Sequence, residues 1–105
     1  MADYIKVASV DQLPPEQAIL VEPNGKRIAV FQSGGEYFAL DDACTHIGGP
    51  LHEGQLMGQC VVCPWHGAQF QLATGQGTPP AHGPVKRYPV RVSGTDIEVA
   101  IDIQA

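Results

Sequence analysis

The sequence predicts an all-β domain, and three observations carry that prediction. Apolar and polar residues alternate in short runs with a period of two, turn residues bound most of these runs, and no 3.6-residue apolar pattern persists beyond about two turns. With 105 residues, 12 of them Gly and 9 Pro, the chain has the length of one domain and a composition suited to long, shaped loops. We expect a single domain spanning residues 1–105.

The first strand is expected at residues 4–7. Ser9 could then cap one helical turn over 10–13, which Pro14 and Pro15 would stop; the preferred reading of this stretch is a surface connector. Strands at 17–22 and 27–32 flank Asn24-Gly25, a strong hairpin signal because both residues accept the positive φ of a type I′ turn. Ser33-Gly34-Gly35 makes a second tip before a strand at 36–41. Shorter strands follow at 59–62 and 69–72, and Ser93-Gly94-Thr95 joins the last two, 86–92 and 96–101. Two segments, 43–58 and 64–83, break the strand rhythm, the second interrupted only around Phe70, and together they hold all 4 histidines.

Charge narrows the function classes. Asp plus Glu number 11 against 6 for Lys plus Arg, a formal net charge of -5, which argues against a nucleic-acid backbone or an anionic membrane as partner. No apolar run reaches the length of a signal peptide or of a membrane span, so a cytoplasmic protein is expected. The odd number of cysteines, 3, reads in a reducing compartment as ligands or buried thiols rather than a disulfide framework.

The chemistry is concentrated in two short motifs. Cys44-x-His46 lies in one irregular segment and Cys63-x-x-His66 opens the other, with residues 47–62 between them. Each limb offers one thiolate and one imidazole on a Gly/Pro-rich turn, a donor set that suits a metal centre. A structural zinc site ordinarily takes both cysteines from one limb and both histidines from the other, which these mixed limbs match poorly. A [2Fe-2S] centre of the Rieske type places two His in place of two Cys on one of its irons, so a limb can reach across the cluster with one ligand on each iron.

At these residues the sequence resembles the Rieske signature: CTH, 16 residues, then CPWHG. The likeness to small bacterial Rieske-type ferredoxins extends through Thr74-Gly75, Pro79-Pro80 and the terminal YPVRV run. It implies the Rieske fold, a small antiparallel β-sandwich whose cluster-binding part, about 43–83, is formed by two ligand loops and a proline loop. It also implies one [2Fe-2S] cluster, with Cys44 and Cys63 on the buried iron and His46 and His66 on the outer iron through Nδ1. The Nε2 edges would then face solvent as the electron exit. Respiratory relatives carry a membrane anchor and an extra cysteine pair; Gly49 and Trp65 occupy the positions of that pair, so the likeness narrows to soluble ferredoxins. High-potential relatives also donate hydrogen bonds to the cluster from a Ser and a Tyr where this chain has Ala68 and Phe70. A potential toward the low end of the roughly -150 to +300 mV range is therefore expected.

The resemblance implies a monomeric one-electron carrier, not an enzyme, working between a flavin-dependent reductase and a terminal aromatic-ring-hydroxylating oxygenase. The small Rieske subunit of an assimilatory nitrite reductase is the alternative within the fold, and a zinc-stapled interaction module the alternative outside it. Other residues have plainer readings. Cys60 completes a CxxC with Cys63 but reads as a partly buried small hydrophobe on a strand. His52 and His82 read as surface loop histidines, and Trp65 as cluster shielding or loop packing. Pro79 and Pro80 read as a dry lid, and Asp41, Asp42 and Glu53 as steering or solvated loop charges.

Overall fold

The computed structural model describes residues 2–43, 50–64, 67–77 and 85–102. Among the described residues, ten strands form three antiparallel sheets. β1 (Ala2–Ser9), β10 (Asp96–Asp102) and β9 (Val90–Ser93) make the first, in that spatial order; β2 (Gln17–Val21), β3 (Ile28–Ser33), β4 (Glu36–Asp41) and β8 (Arg87–Tyr88) make the second. β5 (Gln55–Met57), β6 (Cys60–Val62) and β7 (Gln69–Gln71) make the third.

The second sheet lies between the other two, and the alternation of side chains along a strand explains how. Ile28 and Val30 of β3 and Ala39 of β4 face a core shared with Ile97, Val99 and Ile101 of β10. Their neighbours Ala29, Phe31 and Leu40 face a second core with Val61, Cys63 and Phe70. Every residue of β3 is consequently buried, which is why its apolar run is nearly continuous rather than alternating with charges.

Turn chemistry follows the expected residues with one difference of placement. Asn24 and Gly25 take φ of 55° and 80°, and the Lys26 N–H donates to the Pro23 carbonyl at 3.0 Å, as a type I′ turn requires. Because β2 and β3 pair only up to Val21 and Ile28, this turn is the tip of a longer loop instead of a two-residue hairpin. Gly34 and Gly35, with φ of 62° and 82°, do connect paired Ser33 and Glu36 directly.

Three expectations are corrected. Residues 10–13 are more than a surface connector: Val10–Gln12 is a 3-10 turn, its Gln12 Oε1 accepts the Ser9 N–H at 2.8 Å, and Leu13 is fully buried. The expected strand at 86–92 is two strands, because Pro89 has no N–H to continue a ladder; the chain leaves the second sheet there and joins the first as β9. β5 lies inside the segment read as irregular, a three-residue strand bounded by Gly54 and Gly58 and too short to show a period. No helix among the described residues is long and apolar enough to cross a membrane.

Candidate metal centre

The first limb leaves the second sheet at the end of β4 and is closed at its neck. Ala43 bridges Pro50, and the Leu51 N–H donates to the Asp42 carbonyl at 2.7 Å, so the described residues on either side of 44–49 touch. Its exit is the 3-10 turn Leu51–Glu53, which runs through Gly54 into β5. Leu51 is fully buried in the apolar cluster that contains Cys63. A buried Leu is worth about 1.5–3 kcal/mol against about 1 kcal/mol for one net hydrogen bond, so apolar anchoring holds this neck alongside its hydrogen bonds.

The second limb is a loop between β6 and β7. Gln69 pairs with Val62, and the Cys63 N–H donates to the Ala68 carbonyl at 2.7 Å, which closes the neck of this limb. Cys63 is 1 % exposed and packs in one apolar cluster with Leu51, Val61, Ala68, Phe70 and Leu72. A third loop leaves at Gly77, which bridges Phe70, and returns at Val85, which packs in that same cluster.

Backbone pairing stitches each of these three necks to the next. Gln55, at the exit of the first loop, pairs with Val62, at the entrance of the second. The Val85 N–H donates to the Gly75 carbonyl at 2.8 Å, tying the end of the third loop to the turn after β7, and the Asp41 N–H donates to the Lys86 carbonyl at 2.9 Å, tying it to the entrance of the first. Two glycines permit the closeness: a Cβ on Gly54 would stand 2.3 Å from the Val62 carbonyl oxygen, and one on Gly75 2.4 Å from that of Val85. Residues far apart in sequence, Leu51, Cys63 and Val85, thereby share one apolar cluster.

A Rieske [2Fe-2S] domain model matches residues 3–89. The chain belongs to the Rieske [2Fe-2S] family. A curated relative, the biphenyl dioxygenase ferredoxin subunit of Pseudomonas sp. (strain KKS102), is 40% identical over 98 residues, covering 91% of this chain and 90% of its own. Among solved structures, the ferredoxin of carbazole 1,9a-dioxygenase from Nocardioides aromaticivorans IC177 superposes with a TM-score of 0.86 at 31% identity, covering 91% of this chain and 95% of its own. A complex of reduced oxygenase and oxidized ferredoxin in carbazole 1,9a-dioxygenase contains a chain similar at 30% identity and a TM-score of 0.86, with 92% of each chain covered.

Membership in the Rieske family makes the chain an electron-transfer component with one [2Fe-2S] cluster, and sets the zinc-stapled reading aside. The described residues fit that group. Cys63 offers a thiolate from inside an apolar cluster, where a metal compensates the charge that burial would otherwise penalise. Cys44, His46 and His66 lie outside the described residues, as do Trp65, Pro79, Pro80 and His82.

Several neighbours have roles other than those expected. The Asp42 side chain is 3 % exposed and the His52 side chain 20 %, so neither is a solvated loop group; they bind each other, Asp42 Oδ1 lying 2.8 Å from His52 Nδ1. Asp41 accepts a hydrogen bond from the Tyr88 hydroxyl at 2.5 Å, which leaves Glu53 as the exposed acid of the three. Cys60 is partly buried at the start of β6, as expected. Asp42, His52, Leu51 and Val85 carry no spacing signal, because their partners are brought to them by tertiary pairing.

Proposed function

We propose that this chain delivers single electrons from a flavin-dependent reductase to the terminal oxygenase of an aromatic-ring dioxygenase system. The cluster would be held by Cys44 and Cys63 on one iron and by His46 and His66 on the other, in one domain working as a cytoplasmic monomer. The observation that carries the ligand assignment is the convergence of the two loop necks on the cluster of buried residues containing Cys63. The partner assignment is supported by relatives named as dioxygenase ferredoxin subunits and by a related ferredoxin solved in complex with its oxygenase.

When bound, the cluster takes up and gives back one electron. The chain's own residues hold and insulate it. Leu51, Val61, Phe70, Leu72 and Val85 exclude water from around Cys63, which keeps the surroundings of its sulfur apolar. The stitched necks fix the ends of the ligand loops relative to one another, the rigid support that a preorganised site needs.

The test is reconstitution. Purified protein is expected to contain iron and sulfide, to give a rhombic EPR spectrum on reduction, and to couple an aromatic dioxygenase reductase to its oxygenase with product formed only when all three are present. Cys44→Ser and His66→Ala are expected to lose the native spectrum and the coupling. A colourless, EPR-silent protein overturns the ligand assignment. A reduced protein that is reoxidised by the catalytic subunit of a nitrite reductase and not by the oxygenase overturns the partner assignment.

A further inference from the structure

The buried carboxylate of Asp42 has a place and a set of partners that packing alone does not require. Asp42 lies two residues before Cys44, at the end of β4, and His52 lies just beyond the other end of the 44–49 loop, in the 3-10 turn. One oxygen of the carboxylate, Oδ1, accepts the backbone N–H of His52 at 2.8 Å and lies 2.8 Å from its ring Nδ1. The other, Oδ2, is 3.4 Å from an Arg27 guanidinium nitrogen. The Asp42 main chain adds two bonds, donating to the Arg27 carbonyl at 3.1 Å and accepting from Leu51 at 2.7 Å. A carboxylate this buried is tolerated only with such partners, and here the nearest of them sit across the loop neck.

The geometry also sets the state of the ring. A carboxylate oxygen only accepts, so Nδ1 of His52 carries the proton that fills the 2.8 Å gap, and Nε2 is turned toward Glu53 Oε2 at 3.7 Å. The ring is therefore held in one orientation. Through Leu51, its sequence neighbour, the same turn is anchored in the apolar cluster that contains Cys63.

We infer that Asp42 and His52 form a positioning clamp for the cluster, locking the neck of the 44–49 loop so that Cys44 and His46 keep their place relative to Cys63. The inference rests on the ligand assignment proposed above. The clamp acts through the loop ends, as the outer partners that orient ligating residues do in other metal sites.

The experiment compares cluster-loaded full-length protein with His52→Ala, His52→Asn and His52→Gln. The Asn side chain places an N–H donor where Nδ1 of His stands, whereas Gln places it near the position of Nε2. Two readouts are taken, the EPR line positions and widths of the reduced protein and the rate of iron release to a chelator, with far-UV circular dichroism confirming that the strands are intact. His52→Ala and His52→Gln are expected to broaden the EPR lines and to release iron on the order of tenfold faster, the lower end of what loss of an outer partner does to metal sites. His52→Asn is expected to restore both. A wild-type spectrum and release rate in His52→Ala overturns the clamp, and so does a His52→Asn as perturbed as His52→Ala, since the side-chain donor would then not be the agent. A wild-type protein without iron and without a reduced-state signal overturns the ligand assignment itself, a failure recognisable before any variant is made.

Discussion

Around Cys63 the side chains that matter most are two that lack a hydroxyl. Ala68 and Phe70 are both fully buried in its cluster, so neither offers a side-chain donor to a neighbouring sulfur. Reduction adds a negative charge, and a hydroxyl aimed at sulfur would favour the reduced state by about 1 kcal/mol, the typical net worth of a hydrogen bond. With about 59 mV for each 1.4 kcal/mol in a one-electron couple, the double variant Ala68→Ser plus Phe70→Tyr is expected to raise the midpoint potential by roughly 80 mV. Redox titration followed by the visible spectrum measures it. A hydroxyl that is buried without a partner costs about 1–3 kcal/mol of stability instead. A variant that melts earlier with an unchanged potential therefore refutes this account of the tuning.

At the scale of elements, β8 shows how a strand of two residues is held in place. It pairs with β4 through Ala39 and Leu40, and Tyr88 is buried in the core beneath the first sheet while its hydroxyl reaches Asp41. Burial pushes the Tyr88 phenol well above its ordinary range, and the hydrogen bond and the charge of Asp41 push it in the same direction. The unfolded phenol ionises near pH 10, while the folded one keeps its proton above that, so the folded state binds more protons in that interval. The resulting stabilisation is complete below about pH 10 and is lost as pH rises beyond it. Tyr88→Phe is expected to lose about 1 kcal/mol near neutrality and to show a shallower alkaline decline. Urea midpoints at about pH 7 and about pH 11 compare the two slopes, and equal slopes count against the assignment. β10 is legible in the sequence because its period of two runs for seven residues, and β4 because the Gly34-Gly35 turn sets off its apolar run. β5 and the break at Pro89 are not, since three residues carry no period and a change of sheet depends on which edge is vacant. The ligand motifs were legible for the opposite reason, being local in sequence, whereas the Asp42–His52 pair that closes one of them depends on a fold-level contact.

For the whole molecule, the net charge of -5 becomes more negative by one unit with each electron taken up, and the question is where that charge acts. The rim of the ligand region is mixed: Glu53 is exposed at the exit of the first loop, and Lys86 and Arg87 are exposed after the third. Asp41 and Asp42, which look like steering charges in the sequence, are occupied by Tyr88 and by His52 with Arg27. Steering by the overall field, rather than by an acidic rim, is therefore the expected mode of encounter with basic partner faces. Such a field is screened beyond about 10 Å at 0.1 M salt, and steered association can be accelerated by about 10- to 1000-fold. The bimolecular rate of reduction by the reductase is expected to fall at least roughly tenfold between low and high ionic strength. Glu53→Gln, removing one charge of the excess, is expected to change it by only about twofold at low salt, within the reach of a single rim charge. Stopped-flow absorbance at several salt concentrations measures both. A rate indifferent to salt would mean that apolar contact governs docking, and a tenfold loss in Glu53→Gln alone would relocate the steering to the rim.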